Sequence, residues 1–330
     1  MNAYPHYLRS FKIKMSRLDE LRFMTRVAQR YHVDGQRQSA IAKDLSMSQA
    51  TVSRMLKRAL EEGIVRISLN VPQGTYPELE AGLRNKYHIA EAIVVDCSED
   101  RDGAIMSRIG EAAAHFLETT IQNDEVIGIS SWSQTIVKMI DNVHPMIQGK
   151  AKAVVQTLGG IGNPNVQKHA THVTTRLAQL TGAESVILQA PAVAASREAK
   201  VILLGEKFVR EATEQFENIT LAFIGIGAVE PSDMLAQSGN IFSETELKKL
   251  TDNGAVAEMS QRYLNVDGKQ VLTPLNERVI GMTLEQLNEV PRVVALAGGK
   301  SKTRAIDAAL KSGSIDILVT DRFTASRLTQ

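Results

Sequence analysis

The sequence predicts an α/β protein in two parts: an N-terminal (winged) helix-turn-helix domain, followed by a longer domain built on a mainly parallel sheet. Three observations predict it. Residues 38–57, QSAIAKDLSMSQATVSRMLK, place apolar side chains at the spacing of two short helices that share one seam. From residue 78 onward, short apolar runs alternate with amphipathic stretches, the pattern of strands buried on both faces by crossover helices. Charge divides at the same place: residues 1–70 carry 13 Lys and Arg against 6 Asp and Glu, and residues 71–330 carry 25 against 31. The overall +1 therefore hides a basic head and a mildly acidic body, and a nucleic-acid partner is expected for the head alone.

At 330 residues the chain is long for one core, so two domains are expected. No apolar run reaches the roughly 18 residues of a membrane helix, and the N-terminus lacks a signal peptide's apolar block. A cytoplasmic protein with no membrane partner is expected. The single cysteine, Cys97, excludes an internal disulfide and reads as a small apolar filler at a strand end.

Taken in order, residues 1–17 show no period and are expected to be a flexible leader, with Met15 an alternative start. Residues 18–71 form the DNA-binding domain. A helix over 18–32 presents Leu21, Met24, Val27, Ala28 and Tyr31 on one face and Arg22, Arg26 and Arg30 on another, either solvated or facing phosphates. In the two-helix motif, Ile41 and Leu45 line the first helix, Met47 fills the turn, and Val52, Met55 and Leu56 line the second. Ala42 permits a close crossing, Ser46 sits in the tight connection, and Ser48 is the N-cap of the second helix. The outward face of that helix carries Gln49, Ala50, Ser53, Arg54 and Lys57, with Thr51 and Arg58 beside them. These residue types reach base edges and phosphates, so this helix is expected to dock in the major groove of double-stranded DNA. The plain alternative is a helical hairpin with a solvated charged face. Gly63 ends the helix, and residues 64–71 alternate like a short strand, the candidate wing. Residues 72–77, PQGTYP, read as a linker.

The second domain spans 78–330. It opens with a helix over 77–87, holding Leu79 and Leu83 on one side. Strands are expected at 92–95, 126–129, 153–156, 185–188, 220–224, 292–297 and 316–320, with helices at 103–121, 134–142, 166–181, 200–216 and 302–312. Such a sheet binds ligands beyond the carboxyl ends of its strands, so the loops there hold the chemistry.

Four loops combine small and polar residues. Ser130, Ser131, Trp132, Ser133 and Thr135 join a strand to a helix start, where unpaired N–H groups and hydroxyls suit a phosphate; the bland reading is a serine-rich cap. Gly159 and Gly160 follow the third strand, and Gly225-Ile226-Gly227-Ala228 follows the fifth; glycines admit close backbone approach to a ligand but equally serve tight turns. Neither loop is a GxGxxG or a GxxxxGK[ST], so no nucleotide cofactor is inferred. Gln167, His169 and His172 open the next helix with no Cys or carboxylate cluster beside them, so no metal is expected, and His169 reads as a hydrogen-bonding residue. In the fourth loop, Gly299 and Lys302 suit an anion, with Lys302 inside the first turn of its helix and Lys300 solvated. Glu258 lies in the apolar run 255–259, a costly setting for a carboxylate unless it is paired, and a sugar hydroxyl would serve.

With GISSWSQT, LGG and the closing AGGKSKTRAIDAALKSGSIDILVTD in view, residues 18–328 resemble the SorC family of sugar-binding bacterial transcription regulators. The resemblance implies a DNA-binding domain joined to an effector domain akin to sugar-phosphate isomerases, and a dimer or tetramer whose operator binding responds to a phosphorylated sugar. Matched by motif, the family's phosphate loop falls on Ser130 to Ser133 with Thr135, its acidic sugar contact on Glu258, and its anion-binding lysine on Lys302. His169 falls where relatives carry a polar contact. Two departures stand out: Ser133 replaces the usual glycine after the tryptophan, and Glu258 replaces the usual aspartate. The expected function is an effector-controlled regulator of a carbohydrate catabolic operon rather than an enzyme. A sugar-phosphate isomerase with a DNA-binding appendage is the alternative, for which only Glu258 and His169 offer acid–base groups. A periplasmic-binding-protein-like sensor fits less well, because no wing-like strand follows the motif in that class.

Overall fold

The computed structural model describes residues 16–67, 70–146, 151–231 and 233–330, and their side chains except 164–170, 233 and 234. These residues form two compact units, divided between Asn70 and Val71. The expected leader lies almost wholly outside them.

The first unit is three helices, α1 Arg17–His32, α2 Gln38–Asp44 and α3 Gln49–Glu61. The Ser16 side chain caps α1 by accepting from the Asp19 N–H, and Ser48 caps α3 by accepting from the Thr51 N–H. Val27, Ala28, Ile41, Ala42, Val52, Leu56 and Ala59 form the shared core, with Leu45, Met47 and Met55 packed against it. The turn between α2 and α3 closes through Ser46, whose φ of 51° is left-handed, at a strain of roughly 1 kcal/mol for an L side chain. Tyr31 departs from the expected buried face. It sits in the last turn of α1, edge-on to His32 with ring centroids 4.9 Å apart, and stays exposed.

Residues 64–67 and 70–71 form no strand, and 68 and 69 lie outside the described residues. Gly63 turns the chain at φ +70°, the Val65 N–H donates to the Ala59 carbonyl, and Ile64 and Val65 pack onto the helical core. Their side chains extend the helical core, and no described strand offers them a ladder.

The second unit runs α4 Pro77–Tyr87, β1 Glu91–Val95, α5 Asp102–Thr120, β2 Glu125–Ile129, α6 Gln134–Asn142, β3 Ala151–Gln156, α7 Pro164–Thr181, β4 Glu184–Val186, α8 Arg197–Gly205, α9 Lys207–Glu214, β5 Leu221–Gly225, α10 Asp233–Ser238, α11 Glu244–Asp252, β6 Ala257–Met259, β7 Arg262–Leu264, α12 Leu284–Asn288, β8 Arg292–Leu296, α13 Thr303–Lys311, β9 Ile317–Asp321 and α14 Arg322–Thr329. Seven strands form one parallel sheet in the order β1-β9-β8-β5-β2-β3-β4, and β6 and β7 make a separate antiparallel hairpin.

The sheet is buried on both faces because successive residues feed opposite cores. Val126, Ala222, Val293 and Leu318 enter one, and Ile127, Leu221, Val294 and Val319 enter the other. Each fully buried Ile or Phe of this kind contributes on the order of 1.5–3 kcal/mol. Cys97 is buried just past β1, as a filler should be, and burial pushes its thiol up to about 11.

Where one helix was expected over 200–216, the structure has two, then a 3-10 turn at Gln215–Asn218. Gly205 weakens the helix, and Glu206 turns extended with ψ of 135°.

Candidate ligand cavity and DNA-facing helix

The chain winds outward from β2 through β3 to β4, then returns to the other side of β2 at β5 and continues outward to β8 and β9. Loops leaving the carboxyl ends of β2 and β5 therefore diverge, and a crevice opens between them. A cavity of about 300 Å³ occupies that place. Ser130, Trp132, Ser133, Gln134 and Thr135 line it after β2, Gly225 to Pro231 after β5, Glu258, Ser260 and Tyr263 from the β6–β7 hairpin, and Ser301 and Lys302 after β8. Met106, Leu158 and Leu235 complete the wall.

The phosphate-type wall is the start of α6. Ser133 is its N-cap, accepting from the Ile136 N–H at 3.4 Å, so the helix presents its partly positive end to the cavity. Gly225 backs this wall: a Cβ there would lie 2.8 Å from the Ser133 Oγ. Ser131 turns away, fully buried, with its hydroxyl 3.4 Å from that of Thr174.

Opposite stands Glu258. Its backbone pairs with Gly227 in both directions, at 2.8 and 2.9 Å, and its Oε1 accepts from the Gln261 N–H at 2.5 Å. The hairpin turn it braces is Ser260-Gln261, two non-glycine residues both at positive φ, 50° and 63°. Burial pushes the Glu258 carboxyl up to about 7, against the Gln261 hydrogen bond and the Lys302 charge, which both favour the anion. Lys302 is pulled below the usual ammonium range by burial, with Asp102 and then Glu258 acting the other way. Its ammonium has no hydrogen-bond partner among the described residues. The arrangement offers a helix end, the hydroxyls of Ser130, Ser133 and Thr135 and one cation to an anion, and a carboxylate to hydroxyl groups.

Several expected contacts have other positions. Lys302 is the N-cap residue of α13, following a 3-10 turn at Lys300–Lys302, and not inside the helix's first turn; the Lys302 N–H already bonds the Gly299 carbonyl. Gly299 lies behind the cavity, its N–H held by Asp321 Oδ2 and Thr324 Oγ1. Gly159 and Gly160 are buried and do not line the cavity. The Gly159 carbonyl accepts from the Trp132 Nε1 at 3.0 Å, and a Cβ on Gly159 would lie 2.4 Å from the Pro191 carbonyl carbon. The His169 side chain lies outside the described residues. Tyr263, Ser260 and Met106 went unforeseen because they reach the cavity from elements outside the four loops, whereas Ser301 and Glu230 lie in or beside loops that were singled out, without being picked as contacts. The described residues hold no cluster able to bind a metal.

On α3, Ser48, Gln49, Ala50, Ser53, Arg54 and Lys57 are exposed and Thr51 is half-buried. Arg58 is committed elsewhere: its guanidinium meets Glu20 at 2.5 Å and Glu62 at 3.7 Å, and Arg17 pairs with the same two carboxylates. No described helix is long and apolar enough to cross a membrane.

Residues 72–330 match the family described as "Putative sugar-binding domain". The erythritol catabolism regulatory protein EryD of Brucella abortus is 30% identical over 306 residues, covering 92% of this chain and 95% of that one. The deoxyribonucleoside regulator of Bacillus subtilis is 28% identical over 301 residues, covering 91% and 95%. Among solved structures, the full-length sorbitol operon regulator SorC of Klebsiella pneumoniae superposes with a TM-score of 0.70 at 25% identity, covering 94% of this chain and 99% of that one. The sequence, the sheet with its cavity, and these matches agree: the chain belongs to the SorC family of sugar-binding transcriptional regulators.

Proposed function

We propose that this regulator controls a carbohydrate catabolic operon by binding double-stranded operator DNA through α2 and α3 acting as a helix-turn-helix, under the control of a phosphorylated sugar or polyol. Gln49, Ala50, Ser53 and Arg54 face base edges, and Lys57 faces a phosphate, with Ser48 and Thr51 at the amino end of the helix. Arg58 supports α3 from behind. Residues 18–71 are the reader, 72–77 the linker, and 78–330 the sensor and oligomerisation domain. The protein works in the cytoplasm as a homo-oligomer, dimer or tetramer, and needs no metal or cofactor.

One observation carries the sensor reading: the amino end of α6 and the unpaired ammonium of Lys302 line the same cavity at the switch point of the sheet. An anion held between them gains from the helix end and from Lys302, and Glu258 takes hydroxyl hydrogens on the far side. Its relatives are named as regulators of erythritol catabolism and a sorbitol operon, and of deoxyribonucleosides. The regulator reading stands over the enzyme alternative because these relatives are regulators.

The test is a thermal-shift panel of sugar and polyol phosphates, each beside its unphosphorylated parent, on the full chain. A ligand at 100 times its Kd stabilises by about 2.7 kcal/mol, which a melting curve resolves. At least one phosphate should raise the Tm with its parent inert, and Lys302→Ala should abolish the rise. Equal shifts by the unphosphorylated parents would refute the anion site.

A further inference from the structure

The turn of the β6–β7 hairpin holds a shape that its own stability does not favour. Ser260 and Gln261 sit at φ 50° and 63°, the left-handed region that glycine enters freely and an L side chain enters under strain. Other turns close by in the chain use glycine there, Gly254 at 88° and Gly268 at 77°. The Gln261 side chain is also buried, 1% exposed, and its Nε2 has no hydrogen-bond partner among the described residues. A buried amide donor left unmet calls for a reason, as does a strained turn, and both persist where the surrounding structure holds them for a use.

The bonds that Gln261 does make point to that use, because two of them tie it to residues lining the cavity. Its N–H donates to Glu258 Oε1 at 2.5 Å, and its own Oε1 accepts from the Tyr263 hydroxyl at 3.2 Å. The Tyr263 ring packs against Phe242, with centroids 6.0 Å apart. Glu258 Oε2 then lies against the loop after β5, where a Cβ on Gly227 would be 2.9 Å from it, and it has no hydrogen-bond partner among the described residues. One carboxylate oxygen is thus bound to the turn, and the other is left to accept from a ligand. A carboxylate already held in its binding position loses less freedom when the ligand arrives. We propose that Gln261 is the positioning residue of the effector site: it locks the Glu258 carboxylate and the Tyr263 hydroxyl in the hairpin wall, so that a phosphorylated effector is selected by the hydroxyl groups at its far end. This rests on the reading of the cavity as a sugar-phosphate site and names the residue that sets its selectivity.

The experiment is titration calorimetry on the full chain, with the sugar or polyol phosphate that gives the largest rise in the thermal-shift panel. It compares the parent with Gln261→Ala, Gln261→Gly, Tyr263→Phe and the double variant Gln261→Gly with Tyr263→Phe. Glycine relieves the backbone strain that alanine keeps, so Gln261→Gly should melt above Gln261→Ala. Both should raise the Kd by roughly tenfold, since both delete the side chain that ties the turn to Tyr263. Tyr263→Phe should raise it similarly, and the double variant should be little worse than either single one, because the two changes remove the same hydrogen bond. The pH profile gives a readout that loss of packing alone would not move. Ligand hydroxyls donate best to the ionised carboxylate, so the parent's affinity should rise with pH as Glu258 ionises. The Gln261 N–H favours that anion, so in the Gln261 variants the midpoint should move up by roughly half a unit. A Gln261→Gly protein that keeps the parent's Kd within about twofold, an affinity that recovers with the Tm between the alanine and glycine variants, an additive double variant, or an unmoved midpoint would each overturn the proposal. A panel in which no phosphate raises the parent's Tm would sink the sensor reading and this proposal with it, a failure distinct from the other four.

Discussion

At the scale of single residues, Glu258 is where the cavity's electrostatics show most directly. Its carboxyl titrates near 7 because burial disfavours the charge, against an ordinary value of 4.5. A group whose folded pKa is raised adds stability below the unfolded value and loses it as pH rises through the folded one. The ligand-free protein is therefore expected to lose stability between about pH 4.5 and pH 7 at this residue, by on the order of 3 kcal/mol. Glu258→Gln keeps the acceptor for the Gln261 N–H but has nothing to ionise. Melting curves at pH 5 and pH 8 should show the variant gaining on the parent as pH rises; a gap that stays constant would mean Glu258 is ionised throughout. Glu258 and Lys302 were legible in the sequence because each is an odd residue in its setting, a carboxylate in an apolar run and a lysine in a glycine turn. Tyr263 and Ser260 were not, since nothing local distinguishes them from ordinary hairpin residues.

Among the elements, the parallel strands were the easiest to read. A strand buried on both faces must be a continuous apolar run, and all seven expected strands are present within three residues at either end. The β6–β7 hairpin was hidden because its strands are three residues long and its turn is Ser260-Gln261 instead of an Asn-Gly pair that would announce left-handed φ. The wing was expected from alternation alone, and alternation cannot say whether a partner strand exists. The glycine pair after β3 shows a further limit: glycine signals a close approach without naming what approaches. At Gly159 it is the backbone at Pro191, so Gly159→Ala should cost about 1–3 kcal/mol by chemical denaturation through overpacking. A variant as stable as the parent would show that the backbone at Pro191 gives way to the added methyl. In the reader, Arg54→Ala and Lys57→Ala should weaken operator binding with stability unchanged, and loss of the Lys57 phosphate contact should lower the salt slope by about 1. Arg58→Ala should instead loosen α1 from α3. The Glu20 carboxyl is held below its usual range chiefly by its hydrogen bond from Arg58, and that of Glu62 chiefly by its hydrogen bond from Arg17. This support is present above the ordinary value of 4.5 and fades as pH falls through the lowered folded values, so the stability gap between Arg58→Ala and the parent should narrow in melting curves taken at falling pH.

For the whole molecule, the sequence already divided the labour: a basic head and a mildly acidic body. The structure adds a cavity at the reversal of strand order beside β2 and β5, the place proposed to hold a small anion. A ligand there alters operator binding only if it prefers one arrangement of the protein over another, and couplings of this kind run at about 5- to 150-fold. The most direct test is the affinity for a labelled operator fragment at fixed salt, with and without a saturating sugar phosphate drawn from the thermal-shift panel, for the parent and for Lys302→Ala. The phosphate is expected to change the parent's Kd by fivefold or more, Lys302→Ala to bind the operator as the free parent does, and the phosphate to leave the variant unmoved. A parent whose Kd is the same with and without bound phosphate, or a Lys302→Ala protein that responds as fully as the parent, would contradict this coupling.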